Sequence, residues 1–311
     1  MVSKDAVFAA DIGGSKILCG FVSRDGGVID TEKRLLENDI TTARLEEHIL
    51  SCFNALKKRN PDVTASACGV TIPGVADPNS GTWIYACFSG ISNYPVSERL
   101  SMLLGLPVTI ENDANANAWG EKIFGNCKDC DDFLWVTVSN GVGGGLVLGG
   151  ELYRGFRMGG GEIGHLVVEN EAPLRCPCGH MGCMEAMAAG PGISARYEKK
   201  TGIKTDARDV AERAENGEEA AREVMRMTAV YIGRGLGRAA SILNLEKYVL
   251  GGGVMQSFEF MKEDIVRAFR EEAFARPNGE AEIVCTALGY EAGLMSAAAL
   301  AIRPPRKGTE K

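Results

Sequence analysis

The chain has no apolar run of transmembrane length and no surplus of positive charge. Its 34 Lys and Arg are outnumbered by 41 Asp and Glu, for a formal net charge of -7 over 311 residues. That balance argues against a nucleic-acid surface, because phosphate binding needs clustered cations in excess. An apolar stretch of signal-peptide length is also missing, since Met1 runs through Lys4 and Asp5 directly into a short strand-like segment. The expectation is a soluble, cytoplasmic protein with neither nucleic acid nor membrane as partner. The glycine-rich turns follow neither the GxxxxGK[ST] nor the GxGxxG pattern, which disfavours P-loop and dinucleotide-binding readings.

What is there fits a globular protein: 45% of residues are apolar and 24% charged, in a chain long enough for two domains. Its ten cysteines are diluted and are expected to be mostly reduced. Cys19, Cys52, Cys68, Cys87 and Cys285 lie among apolar or small residues and read as small buried hydrophobes. Cys127 and Cys130 form a CxxC in "GNCKDCDD", without a second Cys/His pair at finger spacing, and read as a solvent-facing turn. The densest stretch is "HLVVENEAPLRCPCGHMGCME", residues 165–185, where three cysteines accompany His165 and His180. From residue types alone it could be a disulfide staple, a metal site or part of a catalytic centre.

Apolar runs around glycine turns dominate the organisation. "AVFAADIGGSKILCGFVSRDGGVID" reads as a β-hairpin with a further turn at Gly26 and Gly27. Leu45, Ile49, Phe53 and Leu56 recur at helical spacing, and "ACGVTIPG" reads as a buried strand ending at Pro73 and Gly74. "PVTIENDANANAWGEKIFG" gives a short strand and then a helix beginning near Asp113 to Ala116. "DDFLWVTVSNGVGGGLVLGGEL" repeats the opening hairpin theme, which suggests two related α/β halves facing one another across a cleft. A long helix, the strand "KYVLGGGV", another helix and a final helix in "EAGLMSAAALAI" follow, and "RPPRKGTEK" reads as a frayed end. Three glycine turns, "DIGGSK", "SNGVGGG" (Ser139 to Gly145) and "LGGGVM", offer backbone amides that could approach an anion closely. Ser15 and Lys16 could add hydrogen bonds at the first.

Taken in order, "DIGGSK", the "PG" at Pro73, "ENDANA" at Glu111 to Ala116, "NGVGGG", "GGEIGH" at Gly160 to His165, "CPCGHMGCME" and "LGGGV" resemble the ROK sugar kinases, which are bacterial glucokinase-like enzymes. The resemblance runs from about residue 7 to residue 300. It implies an α/β, two-domain actin/hexokinase-like (RNase H-like) ATPase fold with a cleft between the domains. Residues 1–117, joined by the C-terminal helix 291–303, would form one domain. Residues 118–290 would form the larger one, with a zinc-binding loop at 165–185. It further implies a homodimer that uses ATP with Mg2+ and a structural Zn2+ to phosphorylate a sugar.

Residue by residue, the resemblance makes Asp113 the general base, where a bare reading would allow a helix N-cap. It makes Asn112, Glu162, His165 and Glu185 sugar ligands, with Gly74 also on the substrate side. Asp11, Gly13, Gly14, Ser15 and Lys16, and Asn140, Gly141, Gly143, Gly144 and Gly145, carry over to the ATP phosphates and magnesium. Gly252 and Gly253 carry over to the adenosine. His165, Cys176, Cys178 and Cys183 match the family's zinc ligands, a set suited to a closed tetrahedral site. His180 reads as a solvated loop residue.

The chain departs from the family pattern at three places. Ser139 and Asn140 replace a Gly-Thr pair, Cys87 or Phe88 in segment 86–93 falls near a sugar-binding asparagine, and the gap from His165 to Cys176 is one residue longer. Glucose is the default acceptor and an N-acylated hexosamine (N-acetylglucosamine or N-acetylmannosamine) the alternative. A regulator, or a sugar-binding protein without catalysis, is the competing class. The regulators of the family carry an N-terminal helix-turn-helix, for which the ten or so residues before the first hairpin leave no room.

Overall fold

The computed structural model describes residues 4–37, 40–86 and 89–306. In chain order the elements are β1 (Lys4–Ile12), β2 (Lys16–Ser23), β3 (Val28–Leu35), α1 (Thr42–Arg59), β4 (Val63–Ile72), β5 (Val75–Asp77), β6 (Thr82–Tyr85), β7 (Ser92–Tyr94), α2 (Val96–Leu104), β8 (Val108–Asn112) and α3 (Asp113–Ile123). There follow β9 (Phe133–Val138), β10 (Val142–Leu148), β11 (Glu151–Tyr153), α4 (Met184–Ala188), α5 (Gly190–Thr201), α6 (Ala207–Glu215), α7 (Glu219–Leu243), β12 (Lys247–Gly251), α8 (Phe258–Glu272), α9 (Ala275–Asn278), β13 (Glu282–Cys285) and α10 (Ala292–Ile302). Among the described residues no helix is long and apolar enough to cross a membrane.

The chain divides into two compact units. The first gathers the residues up to Asp131, Val147–Gly160 and those from Ala287 onward; the second holds Asp132–Leu146 and Gly161–Thr286. The division differs from the boundary at 117 read from sequence, which falls inside α3. That helix continues to Ile123 and packs on α10, and Lys122 then ties down the next turn by donating to the Cys130 carbonyl at 2.8 Å.

In the first unit the sheet order is β3-β2-β1-β4-β8. β1 is central, antiparallel to β2 and parallel to β4, so both of its faces must be covered. Its side chains alternate accordingly. Ala6, Phe8, Ala10 and Ile12 face a cluster with Ile49, Phe53 and Leu56 of α1, where the Phe8 and Phe53 rings meet edge-on at 5.0 Å. Val7 and Ala9 face Leu294, Ala297 and Ala298 of α10. That second helix approaches so closely that a Cβ on Gly69 of β4 would lie 1.8 Å from the Ala297 carbonyl oxygen. Thr41 caps α1 by accepting from the Arg44 N–H, and Lys57, Lys58 and Arg59 complement the dipole at the other end.

In the second unit the order β10-β9-β12-β13 repeats the pattern of a hairpin followed by added strands, with β12 parallel to both β9 and β13. The 25-residue α7 spreads buried residues along its length and packs chiefly on α8.

Two sequence expectations are corrected here. Cys127 and Cys130 are both buried, not solvent-facing, because the turn after α3 folds inward: Cys127 N–H donates to the Glu121 carbonyl and Cys130 N–H to that of Cys127. The segment from Arg303 to Arg306 is not frayed. The Trp119 indole donates to the Arg303 carbonyl at 2.6 Å, the Arg306 guanidinium pairs with Glu151, and Pro305 is buried. Of the scattered cysteines, Cys19, Cys52 and Cys68 are buried and Cys285 is half-buried, while Cys87 and Phe88 lie outside the described residues.

Candidate active site and metal centre

Asp11 stands at the end of β1, where the hairpin closes with Gly13 N–H donating to the Lys16 carbonyl. Thr71, on the adjacent β4, donates its hydroxyl to Asp11 Oδ1 at 2.6 Å. The first turn of α10 presses on the same carboxylate, since a Cβ on Gly293 would lie 2.3 Å from Oδ2. Burial raises the Asp11 carboxyl above its ordinary range, against the opposing Thr71 hydrogen bond and Lys16 charge. Gly14 and Ser15 at the tip are exposed.

Asn112 ends β8 and is the N-cap of α3, its side-chain oxygen accepting from the Ala114 and Asn115 N–H groups. The capping role that Asp113 could have played therefore falls to its neighbour. The Asn112 amide donates to the Gly74 carbonyl at 2.8 Å and to Asp113 Oδ1 at 2.9 Å. Both of its donors and both oxygen lone pairs are thus engaged within the unit. Besides its expected part as a sugar ligand, Asn112 holds Asp113 in place. Asp113 Oδ1 also accepts from Ala114 N–H, and burial pushes its carboxyl up to about 6, with the charge of Asp11 adding in the same direction.

In the second unit the turn between β9 and β10 closes with Ser139 N–H donating to the Gly141 carbonyl. Gly144 and Gly145 are buried within β10, and a Cβ on Gly144 would lie 2.5 Å from the Gly161 carbonyl oxygen. The glycines here admit the 161–164 loop against the strand. Asn140 and Gly253 do line a cavity of about 880 Å³, together with Ser139, Gly190, Asp206 and Glu215. The walls contributed by α5 and α6 carried no signal in the sequence, because their lining residues look like ordinary polar helix surface.

Residues 165–185 fold into a compact loop. Isolated bridges pair Val167 with Cys183 and Arg175 with Met181, and Cys176 N–H donates to the His180 carbonyl. The ligand atoms of His165, Cys176, Cys178 and Cys183 all lie within 4.8 Å of one another. Cys178 and Cys183 Sγ are 3.7 Å apart, as are Cys176 Sγ and His165 Nδ1. A tetrahedron with Zn–S bonds of ~2.3 Å has edges of about 3.8 Å, so three thiols and an imidazole at these spacings fit Zn2+. Hydrogen bonds from the His180 backbone and ring pull the Cys178 thiol down to about 6, toward the thiolate a metal needs. His180 itself is exposed.

The cluster is tied to both expected sugar acids. His165 turns Nε2 toward Glu162 Oε2 at 3.7 Å, while Glu185 Oε1 lies 3.7 Å from Cys176 Sγ. Glu185 Oε2 accepts from Val142 N–H at 3.1 Å, which fixes the acid to the start of β10. Glu162 is exposed.

The model of the ROK family matches residues 7–304. The chain belongs to the ROK family. This ROK protein is similar to the ROK hexokinase from Thermus thermophilus, with 31% identity, a TM-score of 0.82, and 95% of this chain and 97% of that one covered. The ROK family glucokinase from Streptomyces griseus, solved in complex with glucose and AMPPNP, is 29% identical with a TM-score of 0.81, covering 95% and 99%. The N-acetylmannosamine kinase of Escherichia fergusonii is 29% identical over 94% of this chain and 97% of its own. The expected α/β, two-domain actin/hexokinase-like fold is thereby borne out.

Proposed function

We propose that this ROK protein is an ATP-dependent sugar kinase that transfers the γ-phosphoryl group to a hexose hydroxyl, with glucose as the default acceptor. The observation that carries the reading is Asp113, a carboxyl raised to about 6 and oriented through one oxygen by Asn112 and Ala114. Such a group is ionised at neutral pH yet more basic than an ordinary aspartate, as a general base requires. Phosphoryl transfer depends on positioning and on neutralising charge more than on covalent chemistry. Asp113 accepts the hydroxyl proton as the oxygen attacks phosphorus. Glu162 and Glu185 accept hydrogen bonds from other sugar hydroxyls, and His165, whose Nδ1 faces the cysteine cluster, donates from its Nε2–H. The backbone amides of the Gly13–Gly14 and Asn140–Gly141 turns take phosphate oxygens, and the cavity at Asn140 and Gly253 takes adenosine.

Mg2+, when bound, spreads the charge of the transferred group, and Asp11, oriented by Thr71, is suited to hold it. Zn2+ held by His165, Cys176, Cys178 and Cys183 leaves no open position, so its role is structural. Those four residues fix Glu162 and Glu185. A homodimeric, cytoplasmic enzyme belongs to the same reading and rests on the resemblance to the family. An N-acylated hexosamine is the second acceptor class, favoured by the 29% likeness to the Escherichia fergusonii protein named as an N-acetylmannosamine kinase.

The test is coupled ADP release with Mg-ATP over glucose, mannose, allose, N-acetylglucosamine and N-acetylmannosamine, with Asp113→Asn as the blank. One strongly preferred sugar is expected. No turnover on any of them, with zinc bound at full stoichiometry, would remove the kinase assignment for these acceptors.

A further inference from the structure

Glu111 lies immediately before Asn112 and Asp113, is 1% exposed, and does no chemistry in the reading above. Its Oε2 accepts from Arg154 Nε at 2.7 Å, and Arg154 is itself only 8% exposed. Its Oε1 faces the Asn112 backbone N–H at 3.1 Å and the Asn115 side-chain amide at 3.3 Å. Arg154 in turn donates Nη1 to the Arg306 carbonyl at 3.0 Å, so the pair is braced from the C-terminal segment. Burial pushes the Glu111 carboxyl upward and the Arg154 charge opposes that shift. A buried ion pair of this kind contributes little net stability compared with apolar residues of the same volume, but it fixes geometry.

We propose that the Arg154–Glu111 pair is a positioning device for the Asn112–Asp113 turn, and that Arg154 is a specific requirement for turnover although it touches no reacting atom. The inference rests on the kinase reading, in which Asp113 is the base. One carboxylate couples three things: its Oε1 fixes the backbone at Asn112 and the side chain of Asn115, and its Oε2 is held by a guanidinium. The Asn112 side chain, placed by that backbone, grips Asp113 Oδ1 and the Gly74 carbonyl. Loss of the guanidinium frees Glu111 to rotate or to take up a proton. The turn then loses the constraint that aims the base, and an error of about 1 Å in such a group costs on the order of a hundredfold.

The experiment compares Arg154→Lys, Arg154→Met and the double variant Arg154→Met with Glu111→Gln, in the full chain with zinc bound. Removing one partner of a buried pair destabilises the fold, whereas neutralising both restores much of the stability. The double variant is therefore expected to recover the melting temperature but not the rate. Its kcat should stay about tenfold or more below wild type, with KM for ATP within about twofold, and Arg154→Lys should be intermediate. Hydrogen exchange across residues 108–118 should quicken in the double variant whether or not the sugar is the right one.

A double variant with wild-type kcat, or with unchanged exchange in that segment, overturns the proposal and leaves the pair a structural one. Asp113→Asn is measured alongside. If it keeps full turnover, the base lies elsewhere and the assignment of Asp113 fails, and the exchange result alone then decides the positioning role. If it is inactive while the Arg154 variants run at full rate, only the proposal fails.

Discussion

The β1–β2 hairpin of the first unit and the β9–β10 hairpin of the second occupy the same place in two sheets of matching strand order, yet they are built for different work. At the first, a carboxylate ends the strand and is clamped by a threonine hydroxyl on one side and a helix turn on the other. At the second no carboxylate is present in the turn. Instead an acid from α4, Glu185, reaches in to accept the Val142 N–H, and buried glycines let the Glu162 loop lie against the strand. Duplicated topology repeats the scaffold, while the side chains delivered by later elements decide which copy carries a clamped strand-end carboxylate and which an acid held on a backbone amide.

The comparison can be broken most sharply at Asp113, which belongs to the charge-handling unit. Asp113→Asn should cut kcat by about two orders of magnitude or more while calorimetric sugar affinity stays near wild type. Retained turnover would show that the base lies elsewhere. The same carboxyl sets the acid limb. With its pKa at about 6, the ionised base is lost as pH falls through that value, so kcat/KM should drop about tenfold per unit below it. Because burial raises the group, its contribution to folding has the opposite sense: stability is greatest while it is protonated and declines as pH rises through about 6.

Next in size is the metal cluster of the other unit. Cys178→Ser should lower bound zinc well below one per chain by elemental analysis and raise KM for the sugar by about tenfold or more, with KM for ATP nearly unchanged. Unchanged zinc stoichiometry would refute the ligand assignment.

A pair of single methyl groups then separates the two hairpins. Gly293→Ala places a methyl against the Asp11 carboxylate and should reduce kcat by about tenfold and increase the Mg2+ needed for half-maximal rate. Gly144→Ala pushes instead on the Gly161 carbonyl and should act on the sugar KM. If both variants changed the same parameter, the proposed division of labour would be wrong. The smallest expected effect is at the turn tip: Ser139→Ala should alter KM for ATP by less than about threefold, since backbone amides rather than the hydroxyl are the main donors there.

Legibility followed range in the chain. The hairpins, the buried strand ending at Pro73 and the α3 start were plain in sequence because periodicity and turn residues are local properties. The metal cluster was legible only as a dense group of candidate ligands until the resemblance named its role; the structure then placed all four atoms together. Cys127 and Cys130 were misread because the inward fold of their turn depends on Glu121 and Lys122, which give no pattern that a CxxC motif reveals. The part Asn112 plays in holding Asp113 was hidden for a related reason: it depends on the Gly74 carbonyl, which only the folded chain brings beside the amide. The Arg154–Glu111 pair and the Gly293 contact joined residues too distant to be paired from a single sequence.

By itself the sequence determined the strand and helix alternation, the three glycine turns and the Cys/His grouping, because each depends on neighbours within a few residues. Tertiary structure alone decided which groups are charged, clamped or spent. The raised carboxyls of Asp11 and Asp113 come from burial, with the charge of Asp11 adding at Asp113, and the orientation of Glu185 comes from an amide 43 positions away. Desolvation and hydrogen-bond commitment depend on what packs around a group, and those neighbours arrive from elements scattered along the whole chain.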